Sequence, residues 1–197
     1  MTPPRPTLIA DAAIALIAER GLRGLTHRAV DEAAGLPTGS TSNLARTRIA
    51  LLELVLTRIV ELESGDHLLL ADAPPPGPPR DLIVQFGADA LHQALTAGRA
   101  LTLARLELAL EATRRPELRV VYDRLGARFY DYAVVLLARC GSTEPAADAR
   151  RLIRWCDGVL FNSTAGSGHA HPPTPAELRE ELARYLGTLL DQRPAWR

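Results

Sequence analysis

Residues 26–44 read THRAVDEAAGLPTGSTSNL, and this stretch decides the fold. Thr26 has the side chain of a helix N-cap, and the helix after it is expected to end at Gly35, a residue suited to a left-handed C-terminal position. A second short helix is predicted after this glycine turn, with Thr41 and Leu44 on its inner side. Packing of the two helices across the turn would hold them at a fixed angle, so the stretch predicts a helix-turn-helix.

Small polar side chains dominate the second helix, which is predicted to begin around 37–38 and to end near Ala45. The second helix of such a unit enters the major groove of DNA, and small polar side chains allow close approach to base edges and phosphates. Asn43 is able to pair with adenine, while Arg46 and Arg48 are placed to neutralise phosphates. The residues predicted to contact DNA are Thr26, His27, Arg28, Thr38, Gly39, Ser40, Thr41, Ser42, Asn43, Arg46 and Arg48.

Apolar residues recur at helical spacing along the rest of the chain, and no segment has the pattern of a strand. We therefore predict an all-α fold of about nine helices. A proline-rich segment at 73–79 is expected to connect two helices within one domain. The predicted domains are a helix-turn-helix head at 1–48 and a helical domain at 49–197, to which the family resemblance given below assigns ligand sensing and dimerisation. Besides the two short helices, the predicted helical segments are 8–19, 49–62, 81–97, 99–114, 117–139, 145–165 and 175–190.

Composition excludes several classes of protein. The formal net charge is zero, so the chain does not coat nucleic acid by bulk charge, although a local basic patch is compatible with it. Two cysteines, the lack of a membrane-length apolar run and the lack of a signal peptide favour a cytoplasmic protein. No catalytic, phosphate-binding or dinucleotide motif is present, and the pair His169 and His171 lacks further metal ligands. We expect no enzyme activity, no cofactor and no metal.

Two further sites are predicted in the helical domain. Apolar stripes on the last two helices indicate a four-helix dimer interface, although the same stripes could instead close the core of a single chain. The family resemblance given below implies a ligand pocket, which is expected among the middle helices, where a surface or core role is the competing interpretation for each candidate. The predicted interface residues are Leu152, Trp155, Val159, Leu182, Leu186 and Leu189. The predicted ligand-binding residues are His92, Arg105, Tyr122 and Phe129.

From about Leu8 to Val60 the sequence resembles the tetracycline-repressor (TetR) family. The resemblance rests on Ala12-Ala13, Glu19-Arg20-Gly21, Leu25-Thr26, Ala33-Ala34-Gly35-Leu36, Gly39-Ser40-Thr41, and Arg48 followed by Ala50-Leu51-Leu52. It implies a homodimer with a three-helix DNA-binding head and a ligand pocket in a helical body. It also implies a repressor that a small molecule releases from a palindromic operator.

The sequence departs from the family pattern at three positions. Leu44 and Ala45 stand where aromatic residues are frequent, and Asp31 stands where a small residue is usual. These departures leave open an alternative, an interaction or ligand-binding protein with a weakened DNA-binding head. An all-helical enzyme is a third hypothesis, which the lack of an acid-base or metal constellation disfavours.

Overall fold

The computed structural model describes residues 3–64 and 77–191, and every regular element within them is an α-helix, as predicted. The predicted connector at 73–79 lies mostly outside these residues. The described helices are α1 (Arg5–Gly24), α2 (His27–Ala33), α3 (Ser40–Leu44), α4 (Arg48–Ser64), α5 (Pro79–Leu95), α6 (Arg99–Ala112), α7 (Pro116–Arg139), α8 (Pro145–Thr164) and α9 (Pro175–Asp191).

Local sequence fixes most of the helix ends. Pro79, Pro116, Pro145 and Pro175 each stand at the first residue of a helix. Proline is favoured there because its φ is already helical and the first turn needs no N–H from it. In α1, Gly21 adopts φ 65° and ψ −179°, so the regular helix is interrupted two residues after the predicted segment 8–19.

The chain divides into two compact units. The first comprises Met1–His67 and Ala100–Gly126. In it α1 packs against α2 and α4, and α2 packs against α3. The three predicted head helices thus share a unit with α4, and the domain boundary after residue 48 stays a prediction. Fully buried side chains in this unit include Ile9, Ile17, Leu25, Leu51, Leu52, Ile59, Leu108 and Leu118.

The second unit comprises Leu68–Arg99 and Ala127–Arg197, and in it α5 packs against α9 and α8. The approach of α5 to α9 is close at Gly87, because a Cβ atom there would lie 2.9 Å from Cδ2 of Leu182. Leu137, Leu182 and Leu186 are fully buried in the core of this unit.

Candidate nucleic-acid interface

Capping hydrogen bonds fix both ends of α2, and the cap at its second end forms the turn to α3. Thr26 caps α2, since its Oγ1 accepts from the N–H of Ala29 at 3.1 Å, which confirms the predicted N-cap. At the other end Gly35 adopts φ 65°, and the N–H of Leu36 donates to the carbonyl of Asp31 at 2.9 Å. This is the pattern of a Schellman cap, in which a left-handed glycine lets the chain reverse and satisfy the last carbonyls of the helix.

The carboxylate of Asp31 holds the start of α3. Its Oδ2 accepts from the N–H of Gly39 at 2.7 Å, and its Oδ1 accepts from the N–H and the hydroxyl of Thr41 at 2.7 and 2.6 Å. Asp31 is only 2% exposed. Burial acts to raise the pKa of Asp31, but the hydrogen bonds from Thr41 and Gly39, with the charge of His27, hold it below its ordinary value. The carboxylate is therefore ionised at neutral pH.

Two further side chains hold the head together. A ring nitrogen of His27, Nε2, lies 2.7 Å from the carbonyl oxygen of Ala45, just beyond the end of α3. The guanidinium of Arg48 donates to the carbonyls of Leu25 and Leu22 at 2.8 and 2.6 Å. The Leu22 carbonyl also accepts from the N–H of Leu25 at 3.4 Å, and Leu25 is the C-cap residue of α1, so Arg48 caps the end of this helix.

Three residues predicted to contact DNA have partners within the chain. The side chain of Thr41 is 0% exposed and directed to Asp31, and Ser40 is buried with its hydroxyl donating to the carbonyl of Pro37 at 2.7 Å. Arg48 donates to two backbone carbonyls and so caps α1. The DNA contacts of these three residues stay predictions.

The remaining predicted contacts lie on the outer side of the head. Arg28 is exposed and forms a surface ion pair with Glu32 at 2.9 Å, which is worth about 0.3–0.5 kcal/mol and would yield readily to a phosphate. Gly39 and His27 are half-buried. The exposed members of the predicted set are Thr26, Arg28, Thr38, Ser42, Asn43 and Arg46, with Arg48 exposed in part of its side chain.

The end of α3 differs from the prediction at Leu44. This residue was expected to turn inward, yet it is 44% exposed, while the next residue, Ala45, is buried. The reason is the short length of α3, because the helix ends at Leu44 and the chain turns there toward the His27 contact.

The residue that sequence reasoning missed is Asp31. It was noted only as a departure, and it proves to join α2 to α3. Related helix-turn-helix units have a small packed residue at this position. An aspartate there indicates a buried carboxylate, which requires several hydrogen-bond donors close by. The N–H groups that open a short helix are such donors.

Three residues of the predicted dimer stripe pack within the chain's own core. These are Leu152, Leu182 and Leu186, which are buried in the second unit, and their place in a dimer interface stays a prediction. Trp155, Val159 and Leu189 are half-buried against the same core. The Trp155 ring stacks on that of Tyr185 with centroids 5.4 Å apart, and the Tyr185 hydroxyl donates to the carbonyl of Arg151 at 3.0 Å. The stripes of α8 and α9 thus close the chain's own core.

An outward groove of about 530 Å³ lies beside these helices within the second unit. Phe161, half of whose surface is exposed, follows the groove residues Arg154 and Gly158 on α8 at helical spacing. The other residues that line the groove are Trp155, Val159, Asn162, Ser163, Gly168, His171, Pro173, Glu177 and Glu181.

The four predicted ligand-binding residues are divided between the units, and their role stays a prediction. In the first unit Arg105 forms an ion pair with Glu63 at 3.3 Å, and the guanidinium of Arg119 lies 4.7 Å above the ring of Tyr122. In the second unit Phe129 and His92 are half-buried. Nδ1 of His92 is buried without a hydrogen-bond partner among the described residues, so it is able to take one from a ligand.

The histidines and cysteines outside the head have no arrangement for metal binding among the described residues. Residues 3–64 and 77–191 contain no group of three or more His, Cys, Asp or Glu side chains arranged for a metal ion. His169 contacts the carbonyl of Gly166 within its loop. Both cysteines are reduced and half-buried, and burial raises the pKa of the Cys140 thiol. None of the described helices combines the length and apolar character that a membrane span requires.

Comparison with known proteins agrees with this architecture. The sequence profile of the tetracyclin repressor-like C-terminal domain matches residues 78–192. The multidrug binding protein EbrR, solved with ethidium, is 31% identical, with 94% of this chain and 99% of EbrR covered and a TM-score of 0.67. A TetR-family member from Streptomyces coelicolor A3 is 30% identical, with 93% and 98% covered and a TM-score of 0.71. Comparison with curated protein sequences found no significant match.

A further solved structure supports the fold alone. A transcriptional regulator from Rhodococcus sp. Rha1 is 22% identical, covers 94% of this chain and 96% of its own, and has a TM-score of 0.78. A helix-turn-helix head on an all-helical body is the architecture of a DNA-binding transcriptional regulator. The chain belongs to the TetR family of such regulators, as its profile match and its relatives at 30% identity or more show.

Proposed function

We propose that this regulator represses transcription by binding a palindromic operator as a homodimer, and that a small-molecule ligand releases it. The observation that carries the proposal is the outer side of α3. Ser42 and Asn43 are exposed there, and Thr38 and Arg46 are exposed at its two ends. A short helix with small polar side chains outward and a fixed inner side has the form of a major-groove reader.

Roles divide between these exposed residues. Asn43 carries an amide that is able to pair with adenine through two hydrogen bonds, so it contributes to sequence preference. Arg46 and Arg28 carry charge without base selectivity, so they contribute affinity on any duplex. We expect Asn43→Ala to cost about 1–3 kcal/mol on the operator and little on random DNA. We expect Arg46→Ala to weaken both complexes alike and to lower the salt slope by about one per subunit.

Fluorescence anisotropy tests these roles on DNA from upstream of the chain's own gene and on a shuffled duplex of equal length. Salt is varied between about 50 and 200 mM, the range over which phosphate contacts are strongly screened. Gln93→Ala and Arg128→Ala are matched controls, because they remove an exposed amide and an exposed guanidinium outside the head. A wild-type chain that binds neither duplex in a salt-sensitive, sequence-preferring manner would refute the repressor.

Homodimerisation is assigned to the outer side of α8, where Trp155 and Val159 of the predicted stripe line the groove while its leucines pack in the chain's own core. Phe161 is a large exposed aromatic residue beside a groove with both an arginine, Arg154, and two carboxylates, Glu177 and Glu181. A two-fold interface places each patch against its own copy, so a surface that carries both charges and an aromatic anchor suits it.

Light scattering after size exclusion tests the dimer contact. We expect Phe161→Arg to shift the chain toward monomer and to weaken operator binding, which needs two heads. Val135→Arg is the control, because Val135 is similarly exposed on α7. If Phe161→Arg stays as dimeric as the control, the assigned surface is not the interface.

The proposed effector is a small molecule bound by the helical body, for which the EbrR complexes suggest planar aromatic cations as first probes. His92 is the ligand-binding candidate with an unused buried polar atom. Calorimetric titration with proflavin tests it on the protein alone, because planar cations also bind DNA. We expect His92→Ala to weaken binding and His169→Ala, an exposed control outside the groove, to leave it unchanged. Equal affinity in both variants would remove His92 from the site.

A further inference from the structure

Helix α3 begins without a side-chain cap of its own. Its N-cap position is Gly39, which adopts φ 93° and has no side chain to accept a hydrogen bond. The first N–H groups of any helix have no partner within it, and a buried one without a partner is costly. Here the acceptor is supplied by Asp31, which lies on the preceding helix, ten residues before Thr41.

The three hydrogen bonds from Asp31 fix more than the position of α3. They reach two residues, Gly39 and Thr41, and use both carboxylate oxygens. Three bonds to one planar group set the rotation of α3 about its axis as well as its distance from α2. Successive residues of a helix differ by a fixed angle of about 100°. A rotation of α3 at Thr41 therefore changes the directions of Ser42 and Asn43 by the same amount.

We propose that Asp31 is the positioning residue of the DNA-binding site, which sets the direction in which α3 presents Ser42 and Asn43 to the groove. The inference rests on the proposed DNA-binding role of α3. Asp31 itself is almost wholly buried and touches no DNA. Its effect passes through Thr41, whose hydroxyl and N–H both end on the same carboxylate oxygen.

A carboxylate is required at this position for a chemical reason. All three partners of Asp31 are donors, so the group that receives them must accept at both of its ends. An asparagine would place an NH₂ group against one of these donors, although its size is nearly the same. Hydrogen bonds to the charged form also hold the pKa of Asp31 low, so the acceptor is present throughout the neutral range.

The experiment compares affinity for the operator with affinity for a shuffled duplex, in wild type and in Asp31→Asn. We expect the operator preference to fall by at least about tenfold, while affinity for the shuffled duplex stays within about twofold, because the phosphate contacts remain. Glu32→Gln is the matched control, since it removes the neighbouring carboxylate, which is exposed and bonds only Arg28 among the described residues. Glu32→Gln is expected to keep the operator preference.

A graded pair at Thr41 separates positioning from simple folding. Thr41→Ser keeps both hydrogen bonds and is expected to keep the preference, whereas Thr41→Val keeps the N–H bond alone and is expected to lose part of it. Circular dichroism and thermal unfolding establish that each variant is folded. If Asp31→Asn does not fold, a folded Thr41→Val with the wild-type preference overturns the proposal.

Failure of this inference differs from failure of the proposed function. A folded Asp31→Asn with the wild-type preference, or with equal losses on both duplexes, overturns the positioning role alone. A wild-type chain without any operator preference overturns the proposed function. In that case amide hydrogen exchange decides the role of Asp31, since the Gly39 and Thr41 amides must exchange faster in Asp31→Asn, and unchanged exchange overturns it.

Discussion

Helix α3 in the first unit and helix α9 in the second unit are built in opposite ways. The buried residues of α3 are Ser40 and Thr41, which are polar, and Leu44 is exposed. On α9 the buried residues are leucines, and the charged residues are exposed. In a helix of about five turns, the face that carries the apolar residues packs against the core. A helix of five residues has no such face, so a buried hydrogen-bond acceptor on its neighbour decides which side is inner.

The largest expected effect tests the apolar side of this comparison. Leu186→Ala in the core of the second unit should lower the free energy of unfolding by about 2–5 kcal/mol, the transfer and cavity cost of a buried leucine. Leu110→Ala, at a position that is 58% exposed, should change it by no more than about 0.5 kcal/mol. Urea unfolding measures both. If the Leu186→Ala variant keeps its stability but no longer dimerises, Leu186 lies in the dimer interface.

The polar side of the comparison is tested at Thr41. Thr41→Val removes the hydroxyl that donates to the buried Asp31 carboxylate and should cost about 1–3 kcal/mol. Ser42→Ala, one residue further along α3 and exposed, should cost no more than about 0.5 kcal/mol. If thermal unfolding gives equal costs, hydrogen bonding does not define the inner side of α3.

A smaller effect separates capping from phosphate binding at Arg48. Lysine keeps the charge but lacks the fork that reaches the carbonyls of Leu22 and Leu25, so Arg48→Lys should cost about 1 kcal/mol of stability. Arg46 is exposed and forms no hydrogen bond or ion pair with another described residue, so Arg46→Lys should leave stability unchanged. A stable Arg48→Lys with weakened DNA binding would restore the phosphate role first predicted for this residue.

The smallest effect concerns pH. The folded pKa of Asp31 lies below the ordinary 3.8, so its stabilising contribution is fully present above that value and is lost as the pH falls through the folded pKa. The difference in unfolding free energy between wild type and Asp31→Asn should therefore stay constant from neutral pH to about pH 5 and shrink in stronger acid. A difference that already shrinks near neutrality would contradict an ionised, hydrogen-bonded Asp31.

Much of the candidate site followed from local chemistry. Thr26 was predicted as an N-cap and Gly35 as a left-handed turn residue, and each is found in that role because both depend on neighbours within a few residues. The contacts of Asp31, Thr41 and Arg48 were not foreseen because their partners lie on or next to other helices. The polarity of a side chain does not reveal whether its partner is water, DNA or a backbone group of the same chain.

The sequence by itself determined the helices, the proline and glycine positions at which they begin and end, and membership in the TetR family, because these depend on local propensity and on the order of residues along the chain. Only the tertiary structure decided that Ser40 is buried and Leu44 exposed on α3, and that the leucines of α8 and α9 belong to the chain's own core. Both outcomes depend on groups far apart in sequence that meet in space, and a periodic pattern identifies a face without identifying what covers it.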